Sequence, residues 1–560
     1  MKNLYKSIVI FSLLVIMVAG GGCGRKSMAG MQGIFTKNGL VMINVSHQPQ
    51  EVAMKVNGQS KIPNWHFDGG SVFVREFWQP GASYEVQVDG RNWAGTAPMK
   101  PTPLPVSAQE LGMLEDTPAV KDWSPVVYED VAVSADGRYI GVASFDHNVY
   151  VFDNTGKKLW EYRIPDGVGV AAAFAADGSK LFVGESSPDA NIYAFDTLTG
   201  KIRWQYGMAA DIGRSTAQKW NSRPKITNIV VMGDKVITSA EYTQRVTERD
   251  GGRAKVTYVT SCVIRAFDGN DGNPKWRYPE TGVMDTGISR ITCSADGGKI
   301  AFANHSWSRG QFYVDGSIRL LAGSTGKLIG LCQLTPKGGK FSYVGIFDGI
   351  NISPNGQYLT IVTSDDRGML FDVSSIKADT ADGEPNRDFR LLWLRQISNI
   401  QQVGGVPVYA YGNTARTTDE GKVYFMTGTT FLADKTATSG APPFSHPDAT
   451  SFFAYSNRGE LLWKWQSEGG LGKLRFSRDS RYVVIPIQHN YVTRQKDKSG
   501  VYCLDLARTD GDPLVWFYPL EGVAVAAGIA GDGTTVVGLE VPIRQVDDRP
   551  DGMHRLHILQ

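Results

Sequence analysis

Cysteine is scarce in this chain, and its scarcity excludes whole classes of chemistry. The five cysteines, Cys23, Cys262, Cys293, Cys332 and Cys503, include no C-x-x-C pair. Haem attachment and cysteine-rich zinc sites need that spacing, so neither is supported. A dominant charge is missing too. The formal net charge is +2, and Lys2 and Lys6 account for it. The remainder is near neutral, which removes the electrostatic case for nucleic-acid binding. The apolar run Ser7 to Ala19 is too short for a comfortable membrane span. Turn formers, by contrast, abound. The 63 glycines and 11% aromatic content fit turn-rich β-structure, and 560 residues allow a large core plus a second domain.

Met1 to Cys23 reads as a targeting segment, with a basic start, an apolar middle and Gly20-Gly21-Gly22 directly before Cys23. Small residues before a lone Cys resemble a bacterial lipobox, which implies lipidation at Cys23, with Gly20 standing where an aliphatic residue is usual. Either lipidation or an ordinary secretory leader exports the protein, to the periplasm or the cell surface. Residues 24–36 read as a tether. Within residues 37–98, G-L-V-M-I-N-V, E-V-A-M-K-V, S-V-F-V-R-E-F and Y-E-V-Q-V alternate with period two between Asn-Gly, Asp-Gly and Pro-Gly turns. They predict a small β-sandwich of immunoglobulin-like type. Trp65, Phe77 and Trp78 are candidates for a binding face there, with packing the stronger expectation. Residues 99–114 open with M-K-P-T-P-L-P and read as a stiff linker.

From residue 115 to 560 the chain repeats itself. I-Y-A-F-D-T-L-T-G-K-I-R-W (Ile192 to Trp204) returns as V-I-R-A-F-D-G-N-D-G-N-P-K-W (Val263 to Trp276) and V-Y-V-F-D-N-T-G-K-K-L-W (Val149 to Trp160). F-A-Y-S-N-R-G-E-L-L-W, ending at Trp463, is a weaker copy. Each is a strand, an Asx or Ser turn with glycine, and a second strand carrying Trp. A first hairpin precedes each, turning at Asp136-Gly137, Asp177-Gly178, Asp296-Gly297, Asn355-Gly356, Asp479-Ser480 or Asp532-Gly533, with looser turns at Asp234 and Gly421. Two hairpins make a unit of four strands, A to D, and such units without intervening helices mean a β-propeller. Eight repeats are counted, with seven as the alternative. The last stops after H-R-L-H-I-L, its third strand, and the segment Trp123 to Val127 is expected to supply the fourth.

The pattern A-x-D-x-x-T-G-x-x-x-W resembles the tryptophan-docking repeat of the pyrroloquinoline-quinone (PQQ)-type β-propellers. Ala194, Asp196, Thr199, Gly200 and Trp204 match in full, and Ala266, Asp268, Gly272 and Trp276 match with Asp271 in place of Thr. Thr325-Gly326 is followed by Gly330 where Trp is expected, and Asp505 reaches Trp516 through a longer turn. The resemblance implies that Trp160, Trp204, Trp276, Trp463 and Trp516 dock between repeats. In quinoprotein dehydrogenases it further implies a quinone on the axis with calcium and a disulfide between adjacent cysteines. No match for the calcium ligands is found, and the four later cysteines have no adjacent partner, although a Cys262–Cys293 bridge is open. No cofactor and no metal are expected; PQQ with calcium is the alternative.

Insertions fall repeatedly between the second and third strands of a repeat, at 242–258, 305–315, 429–449, 489–499 and 541–551. All such B–C loops leave a propeller on one face, so that face is the candidate binding face. Its candidates are His147, Glu185, Glu241, His305, Trp307, Arg309, Asp365, Arg367, His489 and Tyr491, accompanied by Asp146 and Asp366. No two of the histidines have metal-ligand spacing, and a solvated loop rim is the plainer reading. No catalytic residue is assigned. The favoured function is an exported, lipid-anchored binding or scaffold module for an envelope protein, touching the membrane through its anchor alone. In kind it resembles the propeller lipoprotein of outer-membrane β-barrel assembly. The alternatives are a quinoprotein-like or other channel-mouth enzyme, and surface or polysaccharide attachment through the sandwich.

Overall fold

In the computed structural model, residues 31–560 are described apart from 32, 36–39, 64, 69–70, 78–80, 98–104, 115–128, 218–221, 251–252, 305–306, 309–310, 313–315, 336–343, 347, 378–383, 404–405, 433–445, 468, 479, 490–498, 509–512, 532, 534 and 545–549. Cys23 and the leader therefore lie outside the described residues.

Residues 33–96 form two four-stranded antiparallel sheets. One holds Gly33–Phe35, Leu40–Asn44, Ser71–Phe77 and Trp65–Asp68; the other holds Gln59–Lys61, Val52–Val56, Ser83–Val88 and Arg91–Thr96. Period-two alternation puts Val41, Ile43, Val72 and Val74 from one sheet against Met54, Tyr84 and Val86 from the other in a shared core. Trp65 packs against that core rather than standing on a free face. Trp78 and the side chain of Phe77 lie outside the described residues.

The rest is a propeller of four-stranded antiparallel units. Unit 1 runs Asp130–Val133, Tyr139–Ala143, Asn148–Asp153 and Lys158–Arg163. Units 2 to 7 follow in the same way, and Val523–Ile529, Val536–Val541 and Arg555–Leu559 give three strands of an eighth. The units share one register defect. In unit 2 Ala194 pairs with Trp204 and the ladder then slips by one residue; the same slip follows Val151–Trp160, Ala266–Trp276, Leu320–Gly330, Leu370–Trp393, Ala454–Trp463 and Cys503–Trp516. A bulge at one fixed place twists every outer strand alike. Each sheet is covered on both faces by its neighbours. The middle strands are therefore buried throughout, as in Ser451–Tyr455 and Val536–Val541, and the outer ones alternate.

The core is a ring of clusters, each shared by two successive units. Val149 and Val151 of unit 1 pack with Leu181 and Phe195 of unit 2, and so on round to Val523 and Leu556 of unit 8 against Val131 and Ile140 of unit 1. The indoles fix these joints. Trp160 Nε1 donates to the Thr197 carbonyl (2.7 Å), Trp204 to Gly269 (3.2 Å) and Trp276 to Gly323 (3.1 Å), in each case in the next unit's C–D turn. Gly272 takes φ +76° in such a turn, and a Cβ there would lie 2.6 Å from Trp204 Cδ2, so glycine is required twice over. Trp393 plays the same part on the Asn457 carbonyl (3.1 Å) and had escaped the sequence pattern. Where Gly330 replaces Trp, Ile376 and Phe389 of the next unit close over it, the Leu331 amide donates to the Asn386 carbonyl and the Asn386 amide to the Ile329 carbonyl across the joint.

The closing strand differs from expectation. Trp123 to Val127 lie outside the described residues, and the fourth strand of unit 8 is Pro105–Glu110, in the stretch read as linker. Ser107 pairs with Ile558 at the position Trp holds elsewhere, followed by the same slip. The propeller thus takes in residues on both sides of the expected boundary at 115. A strand supplied from the N-terminal side closes the ring non-covalently and removes an open edge. Cys262, Cys293, Cys332 and Cys503 are all free thiols, so no bridge joins Cys262 to Cys293.

Candidate functional site

Antiparallel order puts the A–B and C–D turns of every unit at one end and the B–C turns and D–A crossovers at the other. The second end carries the candidate residues. Most of them are committed within their own units. Asp146 accepts from the Asn148 amide (3.0 Å) and the Tyr150 hydroxyl (2.6 Å). Glu185 accepts from the Asn191 amide (3.1 Å), Ser187 (2.5 Å) and Tyr193 (2.9 Å). Glu540, which the sequence did not single out, takes the same place in unit 8, meeting His557 Nε2 at 2.6 Å and the Gly522 amide at 2.6 Å. These acids staple B–C turns. Burial raises the Glu185 pKa despite its donors. Burial also pushes Glu540 upward, but His557 and the amides outweigh it and the net shift is down.

The remaining candidates are dispersed. Asp365 is fully buried and held by Arg367 Nε (3.0 Å) and Nη2 (2.8 Å), and Arg367 also reaches the Thr335 carbonyl at 2.7 Å. Glu241 pairs with Lys225 at 3.0 Å. His147 Nδ1 meets the Gly167 carbonyl at 2.7 Å. His489 and Asp366 are buried. His305, Arg309, Tyr491 and the side chain of Trp307 lie outside the described residues. Among the described residues no group of three or more His, Cys, Asp or Glu side chains converges as a metal cage.

The largest elaboration of this end is an arm. Strands Lys235–Asp250 and Arg253–Asp268 pair without a break, and the nine pairs from Tyr242–Ser261 to Asp250–Arg253 run beyond the ladder of the first strand. Nine pairs extend roughly 30 Å. Near its root Tyr242 and Gln244 lie against Gly213, next to the short helix Ala209–Ile212 of the preceding crossover. The opposite face pairs Arg245 with Tyr258 and Thr247 with Val256. Tyr258 is 46% and Val256 40% exposed. The arm carries Arg245, Arg249, Arg253 and Lys255 against Glu248 and Asp250, a basic surplus.

A second concentration of charge lies on the propeller axis, and sequence reasoning missed it. Counting back from the A–B turns, positions two and four of the first strands carry Arg416 and Arg475, and Asp130, Arg290 and Lys473. These positions share a face of their strands. Arg475 Nη2 binds Asp130 at 2.5 Å, joining unit 7 to unit 1, and Lys473 Nζ reaches the Val170 carbonyl of unit 2 at 3.3 Å. Arg416 Nη2 bonds Ser480 (3.1 Å), its guanidinium lies 5.2 Å from the Phe476 ring, and its buried Nε has no partner among the described residues. Burial, and then the charge of Arg290, lower the Arg416 pKa to about 10. Burial, and then Arg475, lower that of Arg290, with Asp348 and Asp130 opposing. Among the described residues a calcium–quinone pair does not fit this axis: four cations stand there, against the carboxylates of Asp130, already bound to Arg475, and Asp348.

Residues 115–258 and 145–339 match the family model described as outer membrane protein assembly factor BamB. The chain is similar to BamB from Moraxella catarrhalis, at 16% identity over 82% of this chain and 98% of that one, with a TM-score of 0.44. It is similar to the C-terminal WD40 domain of Sif2, at 10% identity over 82% and 97%, with a TM-score of 0.46. No curated protein matches.

Proposed function

We propose that this PQQ-type β-propeller is a docking module of the cell envelope, and that the end bearing the B–C loops holds its partner. The single observation that carries this reading is the arm, Tyr242 to Ser261, on a rigid ring whose other joints are tightly packed. Loops and hairpins raised on a rigid scaffold are where recognition is placed. Exposed Tyr258 and Val256, flanked by Arg245 and Arg249, match an apolar patch with acidic surroundings on a partner protein.

The family model's description, an outer membrane assembly factor, supports an envelope location and a protein partner. The leader grammar supports export with lipid attachment at Cys23. No helix among the described residues is long and apolar enough to cross a membrane. A lipid on Cys23 is then the membrane contact, and the propeller presents its arm to a neighbour.

The test is to excise the arm. Replacing Thr243 to Thr260 by a two-residue Asn-Gly turn leaves the four-stranded unit intact. The partner recovered by crosslinking in native membranes disappears with this variant while its melting temperature holds; an unchanged adduct would refute the reading.

A further inference from the structure

Arg290 and Arg416 stand in a cationic cluster that Asp348 and Asp130 offset only in part. Arg290 lies partly buried just before the first strand of unit 4, and its guanidinium makes no hydrogen bond or ion pair among the described residues. Arg416, on the first strand of unit 6, is anchored by Ser480 and Phe476 yet leaves its buried Nε unpaired. Lys473 and Arg475 add two more cations from unit 7, and Asp130 is spent on Arg475. A guanidinium short of counter-charge is costly to bury, and ring closure brings these side chains together from units 1, 4, 6 and 7.

We propose that the propeller axis binds a small multivalent oxyanion, held between Arg290, Arg416 and Lys473. The chemistry follows from the donors. A guanidinium presents parallel N–H groups that match two oxygens of a phosphate or carboxylate, and an ammonium supplies a point charge beside them. Arg416 arrives pre-oriented, because Ser480 fixes Nη2 and the aromatic ring fixes the plane of the guanidinium. The site is separate from the arm and does not depend on the docking reading.

The experiment uses the full-length protein, purified in chloride. Melting is followed with inorganic phosphate, with citrate, and with sodium chloride matched for ionic strength. Anion binding to the native state raises the wild-type melting temperature by about 2 °C or more over the chloride control. Arg290→Gln and Arg416→Gln abolish that shift. In chloride Arg290→Gln melts at or above the wild-type temperature, since it removes a charge without a bonded partner. Arg290→Gln alone decides the matter should Arg416→Gln fail to fold, as Arg290 makes no bond that its loss would break. A response to phosphate alone identifies a phosphate-type ligand, and a response to citrate alone a polycarboxylate. The proposal is overturned by an equal shift in chloride, by variants that keep the shift, or by Arg290→Gln melting below wild type in chloride.

Discussion

His554 Nε2 lies 2.9 Å from Glu129 Oε1, both side chains all but fully buried. The contact joins the B–C loop of unit 8 to the residue before unit 1. His554 Nδ1 meets the Gly112 carbonyl at 2.7 Å, and the Gly112 amide donates to Asp146 at 2.7 Å. With a carboxylate 2.9 Å from one ring nitrogen and a carbonyl against the other, the setting favours the imidazolium. Three stretches of chain thus meet on one charged pair where the ring closes.

That pair makes closure pH-dependent. Burial opposes charge on His554, but Glu129 overrides it and raises the pKa from 6.5 to about 9. Burial likewise opposes Glu129, and His554 overrides it, so Glu129 falls below 4.5. The histidine's contribution is complete below its unfolded pKa of 6.5 and is lost as pH rises through about 9. The glutamate's is complete above 4.5 and is lost as pH falls through its depressed value. Thermal melts of wild type and His554→Gln therefore differ most between pH 4.5 and 6.5 and converge above about 9. A constant difference across that range would show the pair to be uncharged.

The indole joints separate area from hydrogen bonding. Trp204→Ala costs about 3–5 kcal/mol, as for other buried Trp truncations. Trp204→Phe keeps most of the ring but loses the bond to Gly269, at about 1 kcal/mol more than Trp516→Phe. Trp516 Nε1, like Trp463 Nε1, has no partner among the described residues. Denaturant unfolding of the two variants measures the gap; equal losses would contradict the geometry.

Closure by Pro105–Glu110 is testable by truncation. Removal of residues 1–97 leaves the closing strand in place, and the propeller melts as before. Removal of residues 1–112 strips it, opens Arg555–Leu559 as an edge, and lowers the melting temperature with aggregation. Amide exchange at 555–559 distinguishes the two, with protection lost in the longer deletion alone.

How far these features were legible follows from their range. The Asx-Gly turn and Trp204 stand nine residues or fewer from one another, so a hairpin and its docking indole show in one line of sequence. Trp393 did not show, because a long C–D connection, Val373 to Phe389, separates it from its turn. The closing strand P-V-S-A-Q-E is half exposed, lacks Trp and follows a proline-rich stretch, so nothing local marks it as part of the ring. Asp146 and Glu185 were visible as rare side chains and Glu540 was not, and the commitment of the three to Tyr150, Tyr193 and His557 depends on turn geometry. The axial cations are scattered over units 4, 6 and 7, and only the closed ring brings Asp130 to Arg475.

The most direct test of the docking account is a photocrosslinking comparison in native membranes. A photoreactive residue is placed at Tyr258 on the arm and, separately, at Leu198, 64% exposed in a C–D turn at the opposite end. The account predicts a discrete protein adduct from position 258 and none from 198. Adducts of equal yield from both, or from 198 alone, would contradict it.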